Sequence, residues 1–205
     1  MVREQNLFPD LSWELSEEGI VAGVDEAGRG PFAGPVVAAA VILDRTAIPE
    51  GVNDSKKLSK SRREALFDQI MSSALVGIGI ASTAEIDEIN ILQASLLAMR
   101  RAVSALKIPP DVVLVDGNKD PDLGIKTRTI IKGDAISLSI AAASIVAKVT
   151  RDRKMCAYAE DYPHYGWERN AGYGTAEHRK GLSLHGVTPL HRRSFAPIRK
   201  ILNDN

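Results

Sequence analysis

Four acidic residues are the side chains of this sequence whose types and settings best suit a chemical reaction. Asp25 and Glu26 lie side by side inside the apolar run "IVAGVDEAGRGPFAGPVVAAAVIL" (residues 20–43). Asp116 ends a second apolar run, and Asp134 follows a third. An unpaired buried carboxylate is costly, so an acid that faces inward needs a partner or a metal ion.

Carboxylates with no histidine or cysteine nearby favour magnesium or manganese over zinc, because these hard cations prefer oxygen ligands. Two such ions about 4 Å apart can activate a water and stabilise the leaving oxygen of a phosphodiester. The four acids therefore predict a carboxylate cage for Mg²⁺ or Mn²⁺.

Each acid also has a purely structural interpretation, which the pattern leaves open. Asp116 stands in "DGN", and Asp-Gly is a common turn. Asp134 precedes a helical pattern and could cap it. Adjacent residues of a regular strand point to opposite faces, so Asp25 and Glu26 should not share one face. Periodicity alone does not bring the four acids together.

A glycine-rich turn follows the first acids directly. Gly28 and Gly30 flank Arg29 and allow the main chain to approach a ligand closely with positive φ. Backbone amides and carbonyls there can contact a sugar or a phosphate. The alternative is a plain turn that leads into Pro31.

The elements that must position these residues alternate along the chain. β-Branched and small apolar residues predict strands at 20–26, 35–43, 74–82, 111–117 and 125–131. Apolar residues at steps of three and four predict helices after a cap at Ser59 or Ser61, from 83 to 106, and from 135 to 162. Pro109-Pro110 ends the second of these.

This order predicts an α/β fold with a mixed sheet and helices on its faces. We expect a polar leader at 1–19, a core at 20–162, and a small helical and loop-rich C-terminal appendage at 163–205 that belongs to the same domain.

Composition narrows the class of protein. The formal net charge of zero argues weakly against a nucleic-acid partner, but residues 151–205 carry ten Lys/Arg against six Asp/Glu. Cys156 is the only cysteine, which excludes an intrachain disulfide. No apolar run approaches the ~20 residues of a membrane span, and the N-terminus lacks a signal peptide pattern. We expect a cytoplasmic protein without a membrane partner.

Several longer motifs occur in an order that resembles type 2 ribonuclease H, specifically the bacterial ribonuclease HII family. They are "GVDEAGRGPFAGPVVAAAV", "NDSKKLS", "VLVDGN", "KGDAISLSIAAASIVAKVTRD", "GYGTAEH" and "HRRSF", within residues 20–196. The resemblance implies an RNase H-like fold with a five-stranded sheet. It also implies cleavage of RNA paired with DNA, and cleavage on the 5′ side of a single ribonucleotide in duplex DNA. The products would carry a 3′-hydroxyl and a 5′-phosphate.

Site residues follow from the matched motifs. The resemblance assigns catalysis and the binding of two Mg²⁺ or Mn²⁺ ions to the acids of "DEAGRG", "VDG" and "KGD", namely Asp25, Glu26, Asp116 and Asp134. It assigns reading of the ribose 2′-hydroxyl to the backbone of Gly28, Arg29 and Gly30, together with Tyr173 of "GYGT". The family often has proline where this chain has Gly174, which suggests a more mobile loop.

Other side chains are weaker candidates. Lys56, Lys57 and Lys148 could contact phosphates, with a solvated charge as the alternative. His178 and His185 could assist binding, although a surface histidine with no functional role is the simpler interpretation of each. We expect packing roles for the remaining candidates: Ser144, Trp13, Trp167 and Cys156.

Two other functions stay open from the sequence. A nucleic-acid-binding module with structural acids would need no divalent ion, but bare carboxylates would repel phosphates. A related phosphoryl-transfer enzyme, such as a DNA integrase or Holliday-junction nuclease, would cut an all-DNA substrate. The ribonuclease interpretation further predicts a monomer that acts on RNA/DNA hybrids and on ribonucleotide-containing duplex DNA.

Overall fold

A mixed sheet forms the centre of the molecule in the computed structural model, which describes residues 8–204; the first seven residues of the predicted leader lie outside this range. The strands are β1 (Val21–Ala27), β2 (Val36–Leu43), β3 (Ala74–Ala81), β4 (Val112–Asp116) and β5 (Lys126–Ile130). Their order across the sheet is β3-β2-β1-β4-β5. The β1–β2 and β2–β3 pairs are antiparallel, whereas β4 runs parallel to β1 and β5. The predicted mixed five-stranded sheet is confirmed.

Helices cover both faces of this sheet. They are α1 (Ser12–Leu15), α2 (Lys60–Ser73), α3 (Thr83–Ser104), α4 (Leu138–Asp161), α5 (Trp167–Asn170), α6 (Ala176–His185) and α7 (Ala196–Asn203). One apolar cluster joins α3 to one face, and a second joins α2 and α4 to the other. Burial on both faces explains why β1, β2 and β4 read as continuous apolar runs.

The small residues of α4 allow this helix to lie close to the sheet. A methyl group on Gly23 would overlap the backbone at Ser139, at the start of α4. Alanines from Ala141 to Ala143 continue the same buried side of the helix. The close approach brings the first turns of α4 next to the strand that carries Asp25.

Helix α3 differs from its prediction in two ways. It ends at Ser104, two residues before the predicted end at Leu106. It is also interrupted at Asn90, whose φ of 67° is not helical. The Asn90 side-chain oxygen accepts hydrogen bonds from the N–H groups of Leu92 (3.0 Å) and Gln93 (3.2 Å), which starts the helix again.

The described part of the polar leader packs against the core. The buried Glu14 accepts hydrogen bonds from the Ser137 hydroxyl (2.6 Å) and the Ser139 N–H (2.8 Å) at the N-terminus of α4. A carboxylate is favourable at that end of a helix dipole. The division into leader, core and appendage stays a prediction. None of the helices within residues 8–204 is long and apolar enough to cross a membrane.

Candidate active site

Three of the four predicted acids meet at one end of the sheet. Asp25 lies in β1, Asp116 ends β4, and Asp134 lies in the short 3-10 turn Gly133–Ala135 before α4. Each offers a carboxylate oxygen, and these three atoms lie within 4.8 Å of one another. Val24 pairs with Val115 in the parallel register of β1 and β4, so the next residues, Asp25 and Asp116, lie level with each other along the two strands.

The turn before α4 is tied to the strand end. The Gly133 N–H donates a 2.7 Å hydrogen bond to Asp116 Oδ1. Ser137 caps α4, because its side chain accepts from the Ile140 N–H. Asp134 is therefore not the cap, and its carboxylate faces Asp116 instead.

Glu26 stands outside the group of three carboxylates. Its strand partner Ala38 belongs to the cluster against α3, whereas Ala39, the partner of Asp25, belongs to the cluster against α4. Strand alternation thus separates the two acids by face. Glu26 lies 3.4 Å from the Arg29 guanidinium and still lines the same cavity as Asp25.

Burial and repulsion between neighbouring carboxylates disfavour the ionised forms of Asp25 and Asp134. Burial, followed by the charges of Glu26 and Asp116, raises the pKa of Asp25 well above its ordinary value. Burial and then Asp116 raise the pKa of Asp134, against the opposing charge of Lys56. A divalent cation would relieve both costs, and oxygen ligands suit Mg²⁺ or Mn²⁺. The residues present therefore fit such an ion.

The loop at Gly28–Gly30 adopts its shape around a buried arginine from the C-terminal segment. The Arg192 side chain donates to the carbonyls of Gly28, Arg29 (2.9 Å) and Gly34 (2.9 Å). Gly28 has a φ of +101°, which L side chains rarely adopt. The Asp87 carboxylate of α3 accepts hydrogen bonds from the N–H groups that follow Arg192 and so fixes this segment.

A second buried arginine, Arg151 of α4, holds the base of the same loop. It donates to the carbonyls of Ala33 (3.1 Å), Pro35 (2.9 Å) and Ala171 (2.9 Å). Burial lowers the pKa of Arg151 to about 10. Burial and the charge of Arg151 lower the pKa of Arg192 to about 9, so both stay protonated at neutral pH. Neither arginine was predicted as a site residue.

Tyr173 lies across the cavity from the glycine loop. Its side chain is half exposed, and its ring Cε1 would be 3.5 Å from a methyl group placed on Gly30. The cavity has a volume of about 370 Å³. Its lining includes Asp25, Glu26, Gly28, Arg29, Gly30, Lys56, Asp116, Ser144, Lys148, Arg151 and Tyr173.

Gly174 has a packing reason to lack a side chain. A methyl group there would overlap the ring of Phe32, which follows the glycine loop. The Arg179 guanidinium lies over the same ring at 5.2 Å and donates to the Gly174 carbonyl at 3.0 Å. The glycine therefore accommodates Phe32 at this position.

The predicted lysines are placed unequally. Lys56 Nζ lies 3.2 Å from Asp134 Oδ2, and this attraction raises the pKa of Lys56 although partial burial opposes it. Lys148 lines the cavity and pairs with Asp152 at 2.8 Å. Lys57 is exposed and is not among the residues that line this cavity.

Two of the remaining expectations are wrong. His178 is fully buried and not a surface side chain. Cys156 is half-buried rather than a core residue, and its thiol lies 3.8 Å from the Glu168 carbonyl. His185 is exposed and stacks on His164. The packing roles of three others are confirmed by burial or ring contacts: Ser144, Trp167 and Trp13.

Comparison with known proteins gives a consistent result. A family model described as ribonuclease HII matches residues 22–198. Ribonuclease HII from Magnetococcus marinus is 58% identical over 203 residues, covering 95% of this chain and 95% of that protein. The protein of the same name from Ruegeria pomeroyi is 61% identical over 95% of this chain and 85% of its own length.

Solved structures agree in fold. The ribonuclease H2 of Pyrococcus horikoshii has a TM-score of 0.76 and 31% identity, covering 90% of this chain and 97% of that one. The RNase HII of Archaeoglobus fulgidus, solved in a complex with PCNA, has a TM-score of 0.73 and 28% identity over 84% and 93% of the two chains. The fold expected from the sequence is that of these enzymes.

Proposed function

This chain belongs to the ribonuclease HII family and is a ribonuclease H hydrolase, and from this premise we propose its substrates and products. It cleaves the RNA strand of RNA/DNA hybrids and the 5′ side of single ribonucleotides in duplex DNA. Cleavage leaves a 3′-hydroxyl and a 5′-phosphate. One observation carries the proposal: Asp25 and Asp116, whose carboxylates lie beside that of Asp134, line a single opening together with the Gly28–Gly30 loop and Tyr173.

Asp25, Glu26, Asp116 and Asp134 would hold two divalent ions, Mg²⁺ or Mn²⁺. When bound, such ions activate a water and stabilise the leaving oxygen of a phosphodiester. The chain itself supplies the oxygen ligands and holds Asp25 and Asp116 on neighbouring parallel strands. Lys56 and Lys148 line the same cavity, where they would contact substrate phosphates, and Lys57 would act from the exposed surface nearby.

Recognition of the ribose is a task of the glycine loop. The carbonyl of one residue and the N–H of the next point in opposite directions across a trans peptide. Because Arg192 binds the carbonyls of Gly28 and Arg29, the N–H groups of Arg29 and Gly30 point away from Arg192. These N–H groups, with the Tyr173 hydroxyl, would contact the 2′-hydroxyl, the group that distinguishes RNA from DNA.

The wider setting of the enzyme is proposed as well. The excess of basic residues in 151–205 suits the phosphate backbone of a duplex. We propose a cytoplasmic monomer. Family membership sets aside the binding module and the DNA integrase, because both lack ribonuclease H activity.

The substrate proposal is tested with three duplexes that differ only in sugar. We expect cleavage on the 5′ side of one ribonucleotide embedded in DNA, and none of the all-DNA duplex. Activity should require Mg²⁺ or Mn²⁺, whereas Ca²⁺ should bind without supporting turnover because its larger, looser coordination misplaces the reactants. An all-RNA duplex serves as the third substrate. Full activity after exhaustive chelation, or equal cleavage of all-DNA duplex, would refute the proposal.

The role of Tyr173 is tested by removing first its hydroxyl and then its ring. Tyr173→Phe should weaken cleavage at a single ribonucleotide by about 1–2 kcal/mol, the cost of one hydrogen bond. Tyr173→Ala should do more harm because the ring contact with the sugar is lost too. Measurement of kcat/KM on the single-ribonucleotide duplex and on a long hybrid decides this. Tyr158→Phe, outside the cavity, is the control, and an unchanged rate for a folded Tyr173→Ala would exclude Tyr173 as the reader.

A further inference from the structure

Two buried histidines lie next to the Tyr173 backbone, and neither lines the cavity that holds Asp25 and Asp116. His178 belongs to α6, and His191 lies in the C-terminal segment just before Arg192. Both are almost fully buried, and their Nε2 atoms are 3.0 Å apart. A third ring, that of Trp167, donates its Nε1–H to His178 Nε2 at 3.2 Å. None of these three side chains has a role in the proposed cleavage reaction.

Hydrogen-bond chemistry fixes which nitrogen of each ring carries the proton. The Thr188 backbone N–H can only donate, and it lies 2.9 Å from His191 Nδ1, which must therefore accept. The proton of a neutral His191 is then on Nε2, from which it is donated to His178 Nε2. The Trp167 indole N–H likewise can only donate, so His178 Nε2 is an acceptor on two counts.

The remaining proton of His178 is consequently on Nδ1. That atom lies 3.0 Å from the carbonyl oxygen of Tyr173, which can only accept. The chain of hydrogen bonds runs in one direction, from Thr188 through His191 and His178 to the Tyr173 backbone. The same carbonyl also accepts the Thr175 N–H at 2.8 Å, so two donors hold it.

We propose that His178 and His191 are positioning residues that hold the backbone of Tyr173 in place for recognition of the ribose. The inference rests on the proposed function, because it takes Tyr173 as a reader of the 2′-hydroxyl. Burial supports the neutral state that the chain requires: it lowers the pKa of His178, and with the charge of His178 it lowers the pKa of His191 to about 3. Neither ring touches the substrate in this proposal.

Two substitutions at His178 separate the contributions of its two ring nitrogens. The amide of His178→Asn can take the place of Nδ1 and keep the bond to the Tyr173 carbonyl, but it leaves Trp167 and His191 without an acceptor. The longer side chain of His178→Gln places its amide oxygen near the position of Nε2. It accepts from Trp167 and His191 but loses the bond to Tyr173.

The two variants should therefore rank in opposite order for loss of stability and for loss of ribose recognition. Asparagine leaves two buried donors unpaired, so His178→Asn should have the lower Tm. His178→Gln should nevertheless show the greater loss of kcat/KM on a single embedded ribonucleotide, about threefold to tenfold, as expected for one lost hydrogen bond. A merely structural histidine would give the same order in both measurements, and that outcome overturns the inference.

A second readout does not depend on activity. Nitrogen NMR of the imidazole rings at neutral pH should show the proton of His178 on Nδ1 and that of His191 on Nε2. The opposite tautomer of either ring overturns the chain. His185→Gln, on the exposed end of the same helix, is the control for both rate and Tm. If the unmodified enzyme fails to select ribonucleotides, the proposed function fails; if it selects them and His178→Gln cleaves a single embedded ribonucleotide with unchanged kcat/KM, only the inference fails.

Discussion

Asp25→Asn is expected to abolish cleavage while the fold stays intact. The amide matches the carboxylate in shape but lacks the charge with which Asp25, beside Asp116 and Asp134, would hold a divalent ion. Loss of the ions should remove several kcal/mol of stabilisation of the developing charge, which corresponds to a decrease in kcat of about a thousandfold or more. The measurement is single-turnover cleavage of the single-ribonucleotide duplex in excess Mg²⁺.

The same substitution should raise the Tm of the metal-free protein at neutral pH. The folded-state pKa of Asp25 lies well above the unfolded value of 3.8, so ionisation favours the unfolded chain. Below that unfolded value the carboxyl is neutral in both states and costs nothing. The stability cost grows as pH rises from the unfolded pKa to the folded pKa, and it is full above both. The Tm advantage of Asp25→Asn should follow this course and shrink when Mg²⁺ is added.

Asp44→Asn is the matched control for both measurements. Asp44 is an exposed acid that follows β2, at the opposite end of the sheet, and it binds Thr46. Its substitution should leave cleavage unchanged. Activity of Asp25→Asn within a few-fold of the unmodified enzyme would contradict the assignment of Asp25 as the central ligand.

Gly28→Ala should harm both stability and ribose recognition. An alanine there would have to adopt a φ of +101°, a strain of about 1–3 kcal/mol. Its methyl group would also overlap the Arg151 side chain, which must then give up hydrogen bonds to Ala33 and Pro35. Unpaired buried carbonyls add about 1–3 kcal/mol more. We expect a lower Tm and more than about tenfold slower cleavage at a single ribonucleotide.

Two other glycines separate these causes by their effects on Tm. Gly117 has a similar φ of +96° with open space around it, so Gly117→Ala reports the backbone strain alone. Gly30 lacks a positive φ and would place its methyl in ordinary contact with Tyr173, so Gly30→Ala reports a tolerated methyl group. Gly28→Ala should lower the Tm more than either. An equal decrease in Tm for Gly28→Ala and Gly117→Ala would show that a methyl group on Gly28 does not disturb the hydrogen bonds of Arg151.

Local patterns were sufficient for most of the fold, whereas the grouping of the acids was expected from the matched motifs and not from periodicity. Alternating residues and continuous β-branched runs predicted the strands. Burial on one face of a strand produces alternation, and burial on both faces produces a continuous apolar run. Asn90 escaped notice because its side chain restarts α3 in nearly the same register, so the apolar spacing continues past the break. The predicted end of α3 at Leu106 lies within two residues of the observed end at Ser104, because Pro109-Pro110 limits how far a helix can continue.

The groups that shape the substrate loop could not be predicted in this way. Arg151 stands in "KVTRD" and Arg192 in "HRRSF", and neither stretch contains the carbonyls that these arginines bind. Those partners are backbone carbonyls of the β1–β2 connection and, for Arg151, also that of Ala171 after α5. Every residue has a backbone carbonyl, so the sequence does not indicate which ones an arginine will bind. His178 was misjudged for the same reason, since its partners Trp167 and His191 come from different segments.

The contacts of Arg192 also bear on the order in which the enzyme acquires its abilities during synthesis. Arg192 binds carbonyls 163 and 164 positions earlier in the chain, at Arg29 and Gly28. The acids, by contrast, have all been made once Asp134 is joined. Protein chains are made from the N-terminus, and contacts this distant in sequence form late and slowly. A growing chain thus carries Asp25, Glu26, Asp116 and Asp134 well before the Gly28–Gly30 loop can gain its contacts with Arg192. Under the proposed function, selectivity for the ribose would be the last property of the nascent enzyme to mature.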